Sequence, residues 1–367
     1  MKWKDIVFCI SVTLLALLIR YVCREFISYD MSTYLIPWFN TIKSGGGLPA
    51  LKQQVGDYGL LYQTIIAVFT YLNINPVYLY KLLSVFFDFL LALSIAYFVN
   101  NSDSGTIFSD HSFALSYGYV LMLPTVFMNS AFYGQSDSIY TFYILWSVWF
   151  LYKERFHLSA FMLGLALSFK LQTVLLLPLY LYVCFYKKRF SVYNLFITIL
   201  TFWLSGIETY FNGRNIFAGI GIYFFQINEY KHMWMNAPSF WFFIGDDYNK
   251  LHLIAIFLTL ILLGAGLYVI KDKKMPIDLF QQILCISIFI EWTCIIFLPA
   301  MHERYTYVLD LLLVMLAFTD RRYIKYAITA LLTSCVAYCA LLNSPIIIIY
   351  ILTWLCFSYT LFREKVF

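Results

Sequence analysis

Charge is scarce in this chain. Asp, Glu, Lys and Arg together make up 12% of its 367 residues, about half the share usual in soluble domains. That excludes a water-soluble globule. Cysteine signatures are missing as well: the eight Cys form no CxxC pair and no Cys/His metal spacing. Cys9, Cys184, Cys285, Cys294, Cys335, Cys339 and Cys356 sit inside apolar runs and read as small hydrophobes. Walker, Rossmann and zinc-protease motifs are absent. The net charge of +5 does not by itself point to nucleic acid, because in a chain this apolar the placement of Lys and Arg matters more than their sum.

What is abundant is hydrophobic surface. Hydrophobic residues reach 62% and aromatics 21%, in runs near the ~20 residues that span a bilayer core. The fold class is therefore all-α, a polytopic membrane protein. The opening "MKWKDIVFCISVTLLALLIRYVCREF" has a basic start and an apolar centre, but no small-residue cleavage site follows, so it reads as a retained first helix. Hydropathy and loop charge predict about twelve spans, near 6–25, 77–99, 112–130, 137–152, 156–169, 171–186, 190–208, 251–270, 279–299, 305–319, 324–342 and 345–362.

Placing the N-terminus in the cytoplasm puts the basic clusters on one side. They are Lys2 and Lys4; Lys153 and Arg155; Lys187, Lys188 and Arg189; Lys271, Lys273 and Lys274; Arg321, Arg322 and Lys325; and Arg363 and Lys365. These hold 15 of the 25 basic residues, in short connections of the kind that sets orientation. Both termini are then cytoplasmic, and function is expected at the outer membrane face. The run "YGLLYQTIIAVFTYL" resists this scheme, since counting it as a span would invert every later loop, so it is expected to lie along the outer face. The loop "NNSDSGTIFSDHS" falls inside without a single Lys or Arg. The chain reads as one integral-membrane unit, 1–367: a catalytic-type module over 1–208 with an outer loop at 26–76, a second outer loop at 209–250, and C-terminal helices over 251–367.

Ionisable residues at membrane depth are costly and persist where they pair, line a wet cavity or work. Several converge on the outer side. Asp30, in "ISYDMSTYLIPWF", follows the first helix at once; it is either an interfacial helix cap or a general base held at the surface by aromatic rings. "GQSDS" supplies Gln135 and Asp137, with Asp137 or Ser136 equally suited to cap the next helix or to contact an acceptor hydroxyl. "SFKLQ" places Lys170 and Gln172 between two apolar helices, where a lysine either snorkels or holds a lipid phosphate. "MHERY" brings His302, Glu303 and Arg304 together; Arg suits phosphate through paired donors, and no HExxH supports zinc. Asp88, Glu291 and Asp310 fall within predicted spans, where an acid is by default a functional candidate such as a member of a proton relay; Asp88 equally suits a pairing with Lys81 or a neighbouring helix.

The ordered set of Asp30, "DYGLLY", "GQSDS", "SFKLQ", "MNAPSFW" and "MHERY" resembles the polytopic glycosyltransferases of the GT-C fold. The nearest group looks like the bacterial relatives of the eukaryotic second mannosyltransferase of GPI-anchor synthesis. The resemblance spans roughly residues 28–318 and departs at "DYGLLYQ", where the family often has paired prolines after the acid, here Asp57. It implies an inverting transfer of one hexose, mannose or another, from a polyprenyl-phosphate sugar to a glycan or glycolipid on the outer side of a bacterial cytoplasmic membrane, with no metal or other cofactor. It also implies Asp30 as the base, His302 and Arg304 at the donor phosphate, and Lys170 assisting. The rival readings are a lipid-sugar transporter or flippase, a polysaccharide polymerase, and a non-catalytic scaffold.

Overall fold

A computed structural model describes residues 2–103, 105–273 and 279–363. Lys274 and Lys365, members of the basic clusters, lie outside the described residues. Among the described residues the chain is all-α apart from two two-residue strands.

Twelve predicted apolar segments all become helical, and several are broken on the way. α1 (Trp3–Val22) runs into a 3-10 turn and then a π-helical turn at Met31–Leu35, followed by α2 (Ile36–Ser44) and α3 (Leu60–Phe69). At about 1.5 Å per residue, the ten residues of α3 cover about half of a bilayer core, which is why "YGLLYQTIIAVFTYL" need not invert the later loops. α4 (Pro76–Asn101) starts behind Asn75, whose side chain accepts from the Val77 N–H, with Pro76 at the first helical position. α5 (Ser112–Met122) stops ahead of Pro124, and α6 (Pro124–Phe127) passes into a second π-helical turn, Met128–Phe132. Proline has no N–H to continue a helix and clashes with the preceding turn, so the predicted span 112–130 is divided here.

α7 (Asp137–Tyr152), α8 (Phe156–Phe169), α9 (Leu177–Phe185) and α10 (Val192–Leu204) follow, then the short α11 (Ile207–Phe211) and α12 (Ala218–Glu229). The remainder is α13 (Tyr248–Asp272), α14 (Phe280–Phe297), α15 (Tyr307–Thr319), α16 (Ile324–Tyr338) and α17 (Ser344–Arg363). Five helices among the described residues are long and apolar enough to cross a membrane: Trp3–Glu25, Pro76–Asn101, Tyr248–Asp272, Phe280–Phe297 and Ser344–Arg363. Their positions differ. The apolar window of α14 is 89% buried and that of α1 only 11%, so α14 is the central post of the bundle and α1 a peripheral one.

Polar pairs staple α1 to that bundle. Arg20 donates to Asp88 of α4 through Nη2 at 2.8 Å and Nε at 3.0 Å, and Ser130 donates to the same carboxylate oxygen. Lys81, the other expected partner, instead donates to the carbonyls of Cys23, Arg24 and Phe26 at the end of the first span, satisfying acceptors that a helix end leaves open. Asp310 accepts from Ser334 at 2.9 Å, while neither Glu291 oxygen has a hydrogen-bond partner among the described residues.

The bundle has two chemically distinct ends. At one, Lys2 pairs with Asp110 at 2.5 Å, His111 with Asp5 at 2.6 Å, and Arg189 with Glu154, in company with the connections that carry Lys153, Lys271 and Arg321. At the other end lie the end of α1, the starts of α4, α7 and α15, and the ends of α8, α14 and α16. The candidate residues belong to this second end.

Candidate functional site

Two unusual turns build the floor of the site. The π turn at Met31–Leu35 begins behind Asp30, yet the Asp30 side chain caps nothing. Instead Ser28 Oγ accepts from the Met31 N–H at 3.2 Å and donates to the Tyr133 carbonyl at 3.0 Å, which fixes this turn against the one at Met128–Phe132. Such single π turns recur at functional sites. The Asp30 region abuts Gly134, which has φ +68°, and a Cβ there would stand 2.3 Å from Met31 Cε. The positive φ favours glycine, and a Cβ would also require the Met31 methyl to move, which accounts for the first residue of "GQSDS".

That packing leaves the Asp30 carboxylate for long-range partners. Gln135 Nε2 donates to Asp30 Oδ2 at 2.7 Å, and Arg304 Nη1 donates to the same oxygen at 3.1 Å. Tyr58 Oη in turn donates to Gln135 Oε1 at 3.0 Å, orienting the amide so that its N–H faces Asp30. The capping reading of Asp30 is therefore replaced by a network that joins residues 30, 58, 135 and 304. The carboxylate is 31% exposed, and it borders a cavity of about 210 Å³ with Tyr29, Tyr133, Glu303, Arg304 and Tyr338 among the lining residues.

Beneath this cavity is a dry charge cluster. Asp137, the first residue of α7, is fully buried, and the preceding Ser136 makes no side-chain cap. Its carboxylate takes a 2.8 Å bond from Asn129 Nδ2 and a short ion pair from Lys170 Nζ, while Arg304 Nε stands 3.9 Å away. Lys170 does not snorkel; it is buried, with its ammonium 5.5 and 5.8 Å from the ring centroids of Tyr140 and Tyr305. A negative group at a helix start is favoured by the helix dipole, and two opposed charges removed from water need each other. Gln172 is half-buried beside the Tyr305 hydroxyl.

The "MHERY" segment is held by a parallel strand pair. β1 (Trp234–Met235) aligns with β2 (Met301–His302), pairing Trp234 with Met301 and Met235 with His302. The Ala300 N–H donates to the His232 carbonyl at 3.0 Å. Ala300 and Asn236 both adopt positive φ, +58° and +60°, a conformation costly for side chains bearing Cβ and concentrated at functional sites. The motif "MNAPSFW" thus clamps "MHERY", and Asn236 reaches the cavity wall.

Charges within this segment set one another. Burial works to raise the Glu303 carboxyl, but His302 and the Arg304 guanidinium outweigh it and bring it down to about 2. Glu303 Oε1 lies 3.4 Å from Arg304 Nη1. Burial pushes the His302 imidazole below its usual value, and the cations Arg304 and Lys170 push the same way. Burial alone would weaken the charge of Arg304, yet Glu303, Asp30 and Asp137 together hold it firmly protonated. At neutral pH the site sets two cations, Arg304 and Lys170, beside Asp30, Asp137 and Glu303, with a neutral imidazole at its edge.

Asp57 does not join the cavity lining. Its carboxylate accepts from Tyr230 Oη at 2.8 Å and its carbonyl from Gln226, so it ties the 26–76 loop to the end of α12. Tyr230 also meets the His302 ring edge-on at 5.6 Å. Arg214 likewise binds Gln63 and the Gln53 carbonyl. Sequence reading missed Tyr58, Asn129 and Tyr338. Asn129 donates to both Asp137 and Tyr338 Oη, each at 2.8 Å, and nothing in the apolar run around it marks it.

Among the described residues, no group of three or more His, Cys, Asp or Glu side chains could hold a metal ion. No curated protein matches the chain. The family model of Glycosyltransferase family 87 matches residues 58–290, a stretch that includes Gln135, Asp137, Lys170 and Gln172 and ends before His302. With more than half of its length so matched, the chain belongs to Glycosyltransferase family 87.

Proposed function

We propose that this membrane glycosyltransferase moves a single hexose, mannose being one candidate, from a polyprenyl-phosphate sugar to a glycan or glycolipid at the outer face of a bacterial cytoplasmic membrane. The observation that carries this reading is the meeting of Asp30, Gln135 and Arg304 at a half-open cavity. It sets a carboxylate beside a fixed cation at the bundle end opposite the Lys- and Arg-rich connections. Basic connections stay in the cytoplasm, and that preference supports the outer placement.

In the proposed step Asp30 takes the proton of the acceptor hydroxyl. The hydroxyl oxygen forms its bond to the anomeric carbon from the face opposite the phosphate, and the carbon–oxygen bond to the phosphate breaks with its electron pair leaving on the lipid phosphate. Configuration inverts. Gln135 and Arg304 both engage Asp30 Oδ2, leaving Oδ1 without a hydrogen-bond partner among the described residues and open to the hydroxyl. Arg304, drawn from Asp30 as the donor binds and aided by the neutral His302 as hydrogen-bond donor, offers hydrogen bonds to the growing phosphate charge, an effect worth several kcal/mol. Lys170 reaches the phosphate only by leaving Asp137, so its proposed part is to fix Asp137 and the floor. The step is proposed without a cofactor, with the lipid phosphate as leaving group.

Relay transport by the intramembrane acids has less support. Asp88, Asp310 and Glu291 have separate surroundings with no hydrogen bond joining them among the described residues. The test is product analysis by mass spectrometry, with purified protein in nanodiscs, a panel of polyprenyl-phosphate sugars and a host lipid extract, beside Asp30→Asn. A gain of one hexose with wild type alone supports the reading. Gain of whole repeat units would make the protein a polymerase, and labelled sugar crossing the bilayer with no product would make it a transporter.

A further inference from the structure

At the Lys- and Arg-rich end, a cavity of about 640 Å³ opens between α16 and α17. Arg321, Arg322 and Lys325 line it with Ile324, Tyr326, Ile328 and Thr360, and none of these is acidic. Arg322 is engaged by Asp320 at 2.6 Å, which leaves the charge of the cluster net positive. Its floor is polar: Tyr326 Oη and Thr360 Oγ1 share a 2.8 Å hydrogen bond. Both helices also carry exposed apolar residues. On α16, Ile328 and Leu332 are 49% and 62% exposed; on α17, Tyr359, Leu355 and Leu352 recur at helical spacing, each about half exposed or more.

We infer that this cleft is a binding site for an anionic phospholipid, with the phosphate held by Arg321 and Lys325 and the acyl chains laid along the exposed apolar residues of α16 and α17. Orientation alone requires basic residues at this end; it does not require a cleft between two helices with hydroxyls at its base. Basic pockets between membrane helices on the cytoplasmic side are built to take anionic headgroups. The cations sit at the ends of membrane-facing helices, at the level where lipid headgroups are concentrated, which favours the lipid over free phosphate. The site is separate from the Asp30 cavity and does not depend on the transferase reading.

The experiment is native mass spectrometry of the full chain in detergent, offered equal phosphatidylglycerol and phosphatidylcholine. Three proteins are compared: wild type, Arg321→Gln/Lys325→Gln, and Lys2→Gln/Lys4→Gln, the last with the same charge loss at the same end. Size exclusion and helical circular dichroism establish that each is folded. Wild type and the Lys2/Lys4 variant are expected to retain phosphatidylglycerol over phosphatidylcholine, and the Arg321/Lys325 variant to lose about fivefold of that preference for each cation removed. Equal loss in both variants would show a diffuse charge effect and overturn the site. So would a wild type indifferent to headgroup charge. Displacement of the lipid by inorganic phosphate at comparable concentration would assign the cations to free phosphate instead.

Discussion

Arg304 Nη1 lies 3.1 Å from Asp30 Oδ2, an ion pair between the proposed base and the proposed phosphate clamp. In an inverting displacement the base and the leaving phosphate stand on opposite faces of the sugar, with the anomeric carbon between them. One guanidinium cannot stay on the base and also bind that phosphate closely. In the proposed step donor arrival therefore draws Arg304 from Asp30, releasing the carboxylate only once a sugar is in place. Asp30→Asn is expected to lower transfer by about 10²–10⁴-fold while donor binding stays equal or tightens, since the competing charge is gone. Donor affinity by a filter or fluorescence assay, beside turnover, separates the two effects. Retained transfer in folded Asp30→Asn would remove Asp30 as base.

Gln135 has a narrower task. Its amide donates to Asp30 and accepts from Tyr58, so it fixes the carboxylate without supplying charge. Hydrogen bonds to charged groups contribute about 1.5–3 kcal/mol, and Gln135→Leu is expected to reduce kcat by about 10- to 100-fold with little change in donor affinity. Tyr58→Phe should give a smaller loss of the same kind, because it leaves Gln135 in place but free to turn. An unchanged kcat in both would show that the carboxylate needs no such support.

Asp137 and Lys170 form the buried pair beneath the cavity. Breaking such a pair from one side typically costs about 3–5 kcal/mol, while replacing both partners is often nearly neutral. Lys170→Met alone should thus lower thermal stability sharply, and Lys170→Met with Asp137→Asn should recover much of it. Unfolding temperatures in detergent decide the point: a double variant no better than the single would mean that the two charges are not coupled as the geometry indicates.

The sequence carried some of this plainly. Apolar runs gave the helices, and the ends of α7 and α8 coincide with the predicted segments because polar residues at both ends bound them. Span number was less legible: Pro124 divides one segment, and five helices among the described residues are long and apolar enough to cross, against about twelve predicted, while α3 is short as expected of a segment that does not cross. Asp30, Gln135 and Arg304 stood out because charge and amide are conspicuous in apolar surroundings. Their roles toward one another did not, since the contacts span more than a hundred residues. Asp57 was conspicuous for the same reason and proves to tie two loops together, while Asn129 and Tyr338 were hidden in apolar company. Asp88 does pair with a neighbouring helix, one of its two expected partners, but nothing in the sequence singled out Arg20 as the residue that supplies the charge.

Acid stability offers a test of the "MHERY" electrostatics. Glu303 is brought from an ordinary 4.5 down to about 2, so its contribution is present above pH 4.5 and is lost as pH falls from there through about 2, amounting to about 3 kcal/mol at full loss. His302 acts at higher pH. Burial and the neighbouring cations hold it below 6.5, so the unfolded chain binds a proton first and stability starts to fall as pH drops below that value. Thermal unfolding of wild type, Glu303→Gln and His302→Gln between pH 7.5 and 3 separates the two windows, because other acids contribute equally to all three curves. His302→Gln should flatten the first decline and Glu303→Gln the second. Glu303→Gln should also be less stable than wild type at pH 7, where Arg304 has lost one of its three carboxylates. If both variants track wild type across the whole range, neither residue is held by its neighbours, and the fixed cation at the centre of the site loses its physical basis.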